Sequence, residues 1–129
     1  MYVIALDPAI PEFTSVVIVR DKKGRVIERK KGVGLMPHNI IAMIEDFRLD
    51  GSKVKVVVDV TGIGEKWADE IEAKHDNVER VFFSLPQKVK MNAHLKKLIS
   101  QGVIQPPKED YYFAYLMAYW DYDAIEVSV

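Results

Sequence analysis

A chain of 129 residues is one domain's worth of sequence, long enough to bury a real core. Lys and Arg (18) almost balance Asp and Glu (19), so no strongly basic or acidic total points to a partner, although balance leaves room for a local basic face. The absence of cysteine excludes disulfides, a thiolate nucleophile and cysteine-ligated zinc; His38, His75 and His94 stand too far apart for a zinc motif, and no apolar run approaches the ~20 residues that span a bilayer, so a cytoplasmic protein with no membrane partner is expected.

Tyr2 to Leu6 is a short apolar strand that stops at Asp7, because Pro8 removes a backbone donor and ends the ladder. Phe13 to Arg20 reads as a second strand. Asp21-Lys22-Lys23-Gly24 has hairpin-turn chemistry, and Arg25 to Lys31 suits an exposed third strand whose edge lysines discourage pairing with other sheets. From His38, the apolar residues Ile40, Ile41, Ile44 and Phe47 recur at helical spacing until Asp50-Gly51. Lys53 to Val58 is dense in valine, as in a strand buried on both faces, and it ends on Asp59 and a Thr-Gly-Ile-Gly turn before a helix from about Glu65 to Lys74. Val78 to Leu85 reads as a fifth strand. Gln87 to Gln101 is an amphipathic helix with Val89, Leu95, Leu98 and Ile99 inward and Gly102 as its C-terminal stop. Val103 to Lys108 is extended by its prolines, Glu109-Asp110 opens an aromatic helix from Tyr111 to about Trp120, and Ala124 to Val129 forms either a short strand or a frayed tail.

Three hairpin-linked strands followed by two helix-crossed strands predict an α/β fold: a mixed five-stranded sheet, with an antiparallel meander plus two parallel strands and helices on both faces. In that topology the first and fourth strands are central, parallel neighbours, and Asp7 and Asp59 lie at their carboxyl ends, where sites in α/β sheets are built. Each acid alone also suits a turn or helix cap. Side by side they repel and lose solvation, and a divalent cation relieves both penalties. A third acid would complete a two-metal site, with Asp110, Glu109, Asp121 and Asp123 as candidates.

Asp7-Pro8-Ala9 after the first strand, Val-Val-Val-Asp59-Val-Thr-Gly-Ile-Gly, and Lys108-Glu109-Asp110 opening a helix rich in alanine and aromatics together resemble the nuclease domain of large terminase subunits of tailed phages and related viruses, which has the ribonuclease H-like fold. The resemblance covers nearly the whole chain. It implies an endonuclease that cuts duplex DNA during packaging and leaves 5′-phosphates, with two Mg²⁺ or Mn²⁺ ions held by Asp7, Asp59 and Asp110 and with Glu109 as auxiliary ligand. It also implies a packaging ATPase or a portal-type viral protein as partner. Two departures stand out: the chain has no Gly-Lys-Thr/Ser phosphate loop, and the acidic pair is Glu-Asp with Lys108 where the family often has histidine. The apolar stripe of the last helix, Phe113, Ala114, Met117 and Ala118, would face the sheet and carry Asp110 with it, which leaves Glu109 nearer the rim.

Lys88 and Lys90, with Lys96 and Lys97 further along their helix, are candidates for phosphate contacts, as is the hairpin set Lys22, Lys23, Arg25, Arg29, Lys30 and Lys31; lysines on an outer helix face are also common without any such role. Asp121 and Asp123 read as solvated, His94 as a surface residue and the tyrosines as core. Besides the terminase-like reading, a Holliday-junction-resolvase-like nuclease and a non-catalytic nucleic-acid-binding or assembly module with a degenerate acid set also suit the sequence.

Overall fold

The structure, a computed structural model, describes residues 1–10 and 13–123. Five strands, β1 (Tyr2–Asp7), β2 (Thr14–Asp21), β3 (Val26–Val33), β4 (Val54–Asp59) and β5 (Val78–Val81), form one sheet in the order β3-β2-β1-β4-β5. The β1–β2 and β2–β3 pairs are antiparallel, and the β1–β4 and β4–β5 pairs are parallel. Side-chain alternation divides β1 and β4 between two apolar layers. Ile4, Leu6, Val56 and Val58 pack under α1 (Pro37–Arg48) and α2 (Gly64–Glu72), whereas Val3, Ala5 and Val57 pack under α3 (Leu85–Ser100) and α4 (Tyr112–Tyr119). A central strand covered on both faces must be apolar throughout, which is why Val3 to Leu6 and Val56 to Val58 carry no polar residue.

Several boundaries differ from those read in the sequence. The fifth strand stops at Val81 rather than Leu85, since Phe82 is 63% exposed and Ser84 caps α3, its Oγ accepting from the Gln87 amide at 3.3 Å. Pro86 therefore lies in the first helical turn, where a missing N–H costs nothing, and does not terminate a strand. The inward face of α3 is Met91, Leu95 and Leu98, and Val89 is exposed. At the other end of α3, Gly102 takes φ +72° and the Val103 amide bonds the Leu98 carbonyl at 3.0 Å, the C-terminal motif expected of a glycine there. Glu109–Tyr111 is a 3₁₀ turn leading into α4. Within α4, Phe113 is 41% exposed and sets its ring against Phe83 at 5.4 Å, while Ala114 through Tyr119 are all buried. Ala124 to Val129 lie outside the described residues.

Candidate metal centre

The β1–β4 ladder pairs Tyr2 with Val54 and continues to Leu6 with Val58, so one step further brings Asp7 level with Asp59. Alternation places both on the α3/α4 face of the sheet. The two strand ends are held tightly. Beyond Asp7, the Ala9 amide donates to the Oγ of the buried Ser15 at 2.8 Å. Beyond Asp59, the Thr61 amide donates to Asp59 Oδ1 at 2.8 Å, and Thr61 Oγ1 accepts from the Phe83 amide at 2.9 Å. Gly64 has no room for a side chain: a Cβ there would overlap the Asp59 carbonyl and come within 3.3 Å of Pro8 Cγ. The Thr-Gly-Ile-Gly turn thus brings the start of α2 onto the back of Asp59.

Burial, then the Asp59 charge, then a hydrogen bond shared with the Asp59 side chain raise the Asp7 carboxyl from 3.8 to about 6. Two carboxyls in this state are a hard-oxygen pair short of cationic charge, which suits Mg²⁺ or Mn²⁺ as ligands.

The other predicted ligands stand apart from this pair. Asp110 Oδ2 lies 2.6 Å from Lys31 Nζ, and both residues are exposed. That contact holds the Asp110 carboxyl below the usual carboxylate range and raises the Lys31 ammonium. Lys31 pairs across β2 with Val16, and Val16 pairs with Asp7, so the row runs Lys31, Val16, Asp7, Asp59 across the sheet. At ~4.8 Å per strand, the Lys31 backbone lies roughly 10 Å along that row from Asp7, and Asp110 is tied to the Lys31 side chain. Glu109 is exposed on the same 3₁₀ turn. Among the described residues, no three His, Cys, Asp or Glu side chains stand close enough together to hold a metal ion.

Of the predicted basic residues, Lys88 sits at the acid-bearing end, in the first turn of α3, with its Nζ 5.8 Å from the Phe113 ring centroid. Lys90 is exposed half a turn further on. Lys22, Lys23 and Arg25 belong to the opposite end of the sheet: Asp21 pairs with Tyr2, five residues and ~17 Å from Asp7. Only the far end of the third strand, at Lys31, reaches the acid row.

Asp121 has a role that the sequence reading missed. Arg20, 2% exposed, donates to the Ala118 carbonyl, to the Asp21 carbonyl at 3.0 Å and to Asp121 Oδ1 at 3.0 Å, with its guanidinium 5.1 Å from the Tyr122 ring. Lys55 bridges Asp121 and Glu79. Val16, Ile18 and Arg20 alternate onto one buried face of β2, so an arginine in that register was the available signal. His94, read as a surface residue, is part-buried, with Nε2 2.9 Å from the Tyr122 carbonyl oxygen.

A mixed sheet of this order, with an antiparallel meander, two parallel strands and flanking helices, is the ribonuclease H-like architecture. Three of the solved structures that it matches are of one nuclease. The large terminase nuclease from thermophilic phage G20c superposes at TM-score 0.67, with 17% identity over 95% of this chain and 83% of that one. The same nuclease with bound zinc gives 0.72 at 19% identity, and with bound cobalt 0.74 at 18%, each covering 95% of this chain and 82% of that one. No protein-family profile matches the chain, and no curated protein matches it. None of the described helices is long and apolar enough to cross a membrane.

Proposed function

We propose that this chain is a divalent-metal-dependent endodeoxyribonuclease of the terminase-nuclease type. The observation that carries the reading is the level pair Asp7–Asp59 at the ends of neighbouring parallel strands, with the Asp7 carboxyl raised to about 6 by burial and by its neighbour. The fold shared with a nuclease solved with bound zinc and cobalt supports it. Asp7 and Asp59 would hold the metal, Asp110 would join them by exchanging Lys31 for it, and Glu109 would serve at the rim. Bound Mg²⁺ or Mn²⁺, two ions in the full reading, supplies charge stabilisation at a phosphodiester and activates water.

The chain's own residues do the rest. Thr61 and Gly64 fix the direction of the Asp59 carboxylate, Ser15 fixes the loop after Asp7, and Lys88 and Lys90 contact phosphates at the acid-bearing end. The substrate is duplex DNA, and a packaging ATPase or a portal-type protein is the partner in that reading. The test is nicking of supercoiled plasmid in Mn²⁺: the native chain cuts, and Asp7→Asn and Asp59→Asn do not. Wild-type nicking by either variant sinks the assignment.

One observation favours a second reading, a non-catalytic DNA-binding or assembly module. Asp110 is engaged by Lys31, and no third acid stands with Asp7 and Asp59 among the described residues. Calorimetric titration with Mn²⁺ separates the two, since the module binds no ion at the acid pair.

A further inference from the structure

Between the β2–β3 hairpin and the segment joining α3 to Glu109 lies a cleft of about 590 Å³. Among the described residues, its walls carry the cations Lys23, Arg25, Arg29 and Lys108 and no carboxylate, in a chain whose net charge is −1. Two of these cations are pre-set. Arg25 Nε is held by Asp21 Oδ2 at 2.9 Å, and Arg29 donates from Nε and Nη2 to the Tyr115 hydroxyl at 3.2 and 2.9 Å. A guanidinium has five N–H donors, so both retain donors for a ligand. The floor is the buried Tyr115, the half-buried Tyr111 stands in the wall, and Pro106-Pro107 stiffen the opposite side.

Fixed guanidinium forks, two exposed lysines and an aromatic floor are a recognition set for phosphates joined to flat apolar groups. The volume is that of a small-ligand pocket, and a duplex, whose major groove alone is ~12 Å wide, does not enter it. The cleft follows β3 from the hairpin tip to Arg29, and its other side carries Lys108 and Tyr111, the sequence neighbours of Glu109 and Asp110.

We infer that this cleft binds a single DNA strand and leads it along β3 to or from the acid row. The inference rests on the nuclease reading only for where the strand leads. An acidic protein segment would satisfy the charge, but tyrosines lining the cleft beside fixed guanidiniums favour stacked bases on a phosphate backbone.

The test uses the full chain in EDTA, with a short fluorescein-labelled oligothymidylate and a hairpin duplex read by anisotropy. The single strand should bind, and the hairpin duplex, which the proposed reading places at the acid-bearing end, serves as the reference. Lys23→Ala combined with Lys108→Ala, both exposed positions, should weaken strand binding severalfold and lower the slope of log K against log salt by about 1.4, at ~0.7 per phosphate contact on single strands. A 4-thiothymidine strand should crosslink to the peptide that contains Tyr111. An unchanged slope, an equal loss of strand and duplex binding in the double variant, or displacement of the strand by an acidic aromatic peptide would overturn the inference, the last in favour of a protein partner. No ion is present and no cleavage is read. A chain that cuts but fails this assay loses the cleft alone; one that binds the strand but never cuts loses only the nuclease reading.

Discussion

Lys31 Nζ and Asp110 Oδ2 meet at 2.6 Å on the α4 face, two strands along the sheet from Asp7. In the proposed centre a metal at Asp110 would have to displace this ammonium, so the two cations would compete for one carboxylate. Lys31→Met should therefore raise Mn²⁺ affinity a few-fold by calorimetry, a modest gain because exposed ion pairs contribute little. Weaker binding in that variant would mean that Lys31 instead holds Asp110 in reach of the ion.

The same geometry separates the consecutive acids. Side chains one residue apart diverge by ~120° in a 3₁₀ turn, so Asp110 and Glu109 cannot both face the acid row. Asp110→Asn should remove cleavage, whereas Glu109→Gln should weaken it or change its metal preference. Single-turnover cleavage across a Mn²⁺ titration decides this, and a dead Glu109→Gln beside an active Asp110→Asn reverses the assignment.

Asp7 makes stability depend on pH in an unusual direction. Its folded-state value, about 6, lies above the 3.8 of an ordinary aspartate, so the folded chain holds a proton there between those two values that the unfolded chain has lost. Without metal, its contribution falls as pH rises through that window. At about 1.4 kcal/mol per pH unit, the cost above pH 6 is at most about 3 kcal/mol. In urea denaturation in EDTA, Asp7→Asn should match the native chain below pH ~4 and exceed its stability above pH ~6. A constant difference across that range would show that Asp7 titrates like a solvated acid.

Gly64 and Gly62 offer a paired test of the turn. Nothing lies within 4 Å of a Cβ at Gly62, whereas one at Gly64 overlaps the Asp59 carbonyl. Gly64→Ala should cost ~1–3 kcal/mol and displace Asp59, and Gly62→Ala should be nearly neutral. Equal effects on thermal unfolding would place the constraint elsewhere.

Arg20 and Asp121 should respond unequally. Replacing the buried arginine by methionine strips donors from the Ala118 and Asp21 carbonyls and leaves Asp121, among the described residues, with Lys55, at a cost of ~3 kcal/mol. Asp121→Asn keeps an acceptor oxygen for Arg20 and should cost ~1 kcal/mol or less. Urea midpoints measure both.

What was legible in the sequence follows from which residues had one explanation. Apolar runs cut off by an acid read as buried strands, so the five-stranded order and the position of Asp7 and Asp59 at two strand ends were within reach. Phe113 was misjudged because α4 is buried almost all round, so its apolar residues carry no helical period, and Leu85 because Pro86 serves a helix start as readily as a strand end. The placement of Lys22, Lys23 and Arg25 needed only the antiparallel register, which sends the tip of a hairpin away from the end where β1 terminates. The Lys31–Asp110 contact joins residues 79 apart, and no local pattern encodes it.

The C-terminal end of α4 is pinned to the hairpin tip: the Tyr119 hydroxyl donates to the Gly24 carbonyl at 2.6 Å, and the Tyr122 hydroxyl to the Lys23 carbonyl at 2.8 Å. A Cβ at Gly24 would strike the Tyr122 ring at 2.7 Å, so the joint has no slack. The N-terminal end carries Asp110 through the 3₁₀ turn. The aromatic helix is therefore a spacer of set length between two anchored points. Inserting one residue into it would leave its apolar character intact yet advance its first turn by ~1.5 Å and swing it by ~100°, carrying Asp110 away from Lys31 and from the acid row. This helix should accept changes of side chain far more readily than changes of length.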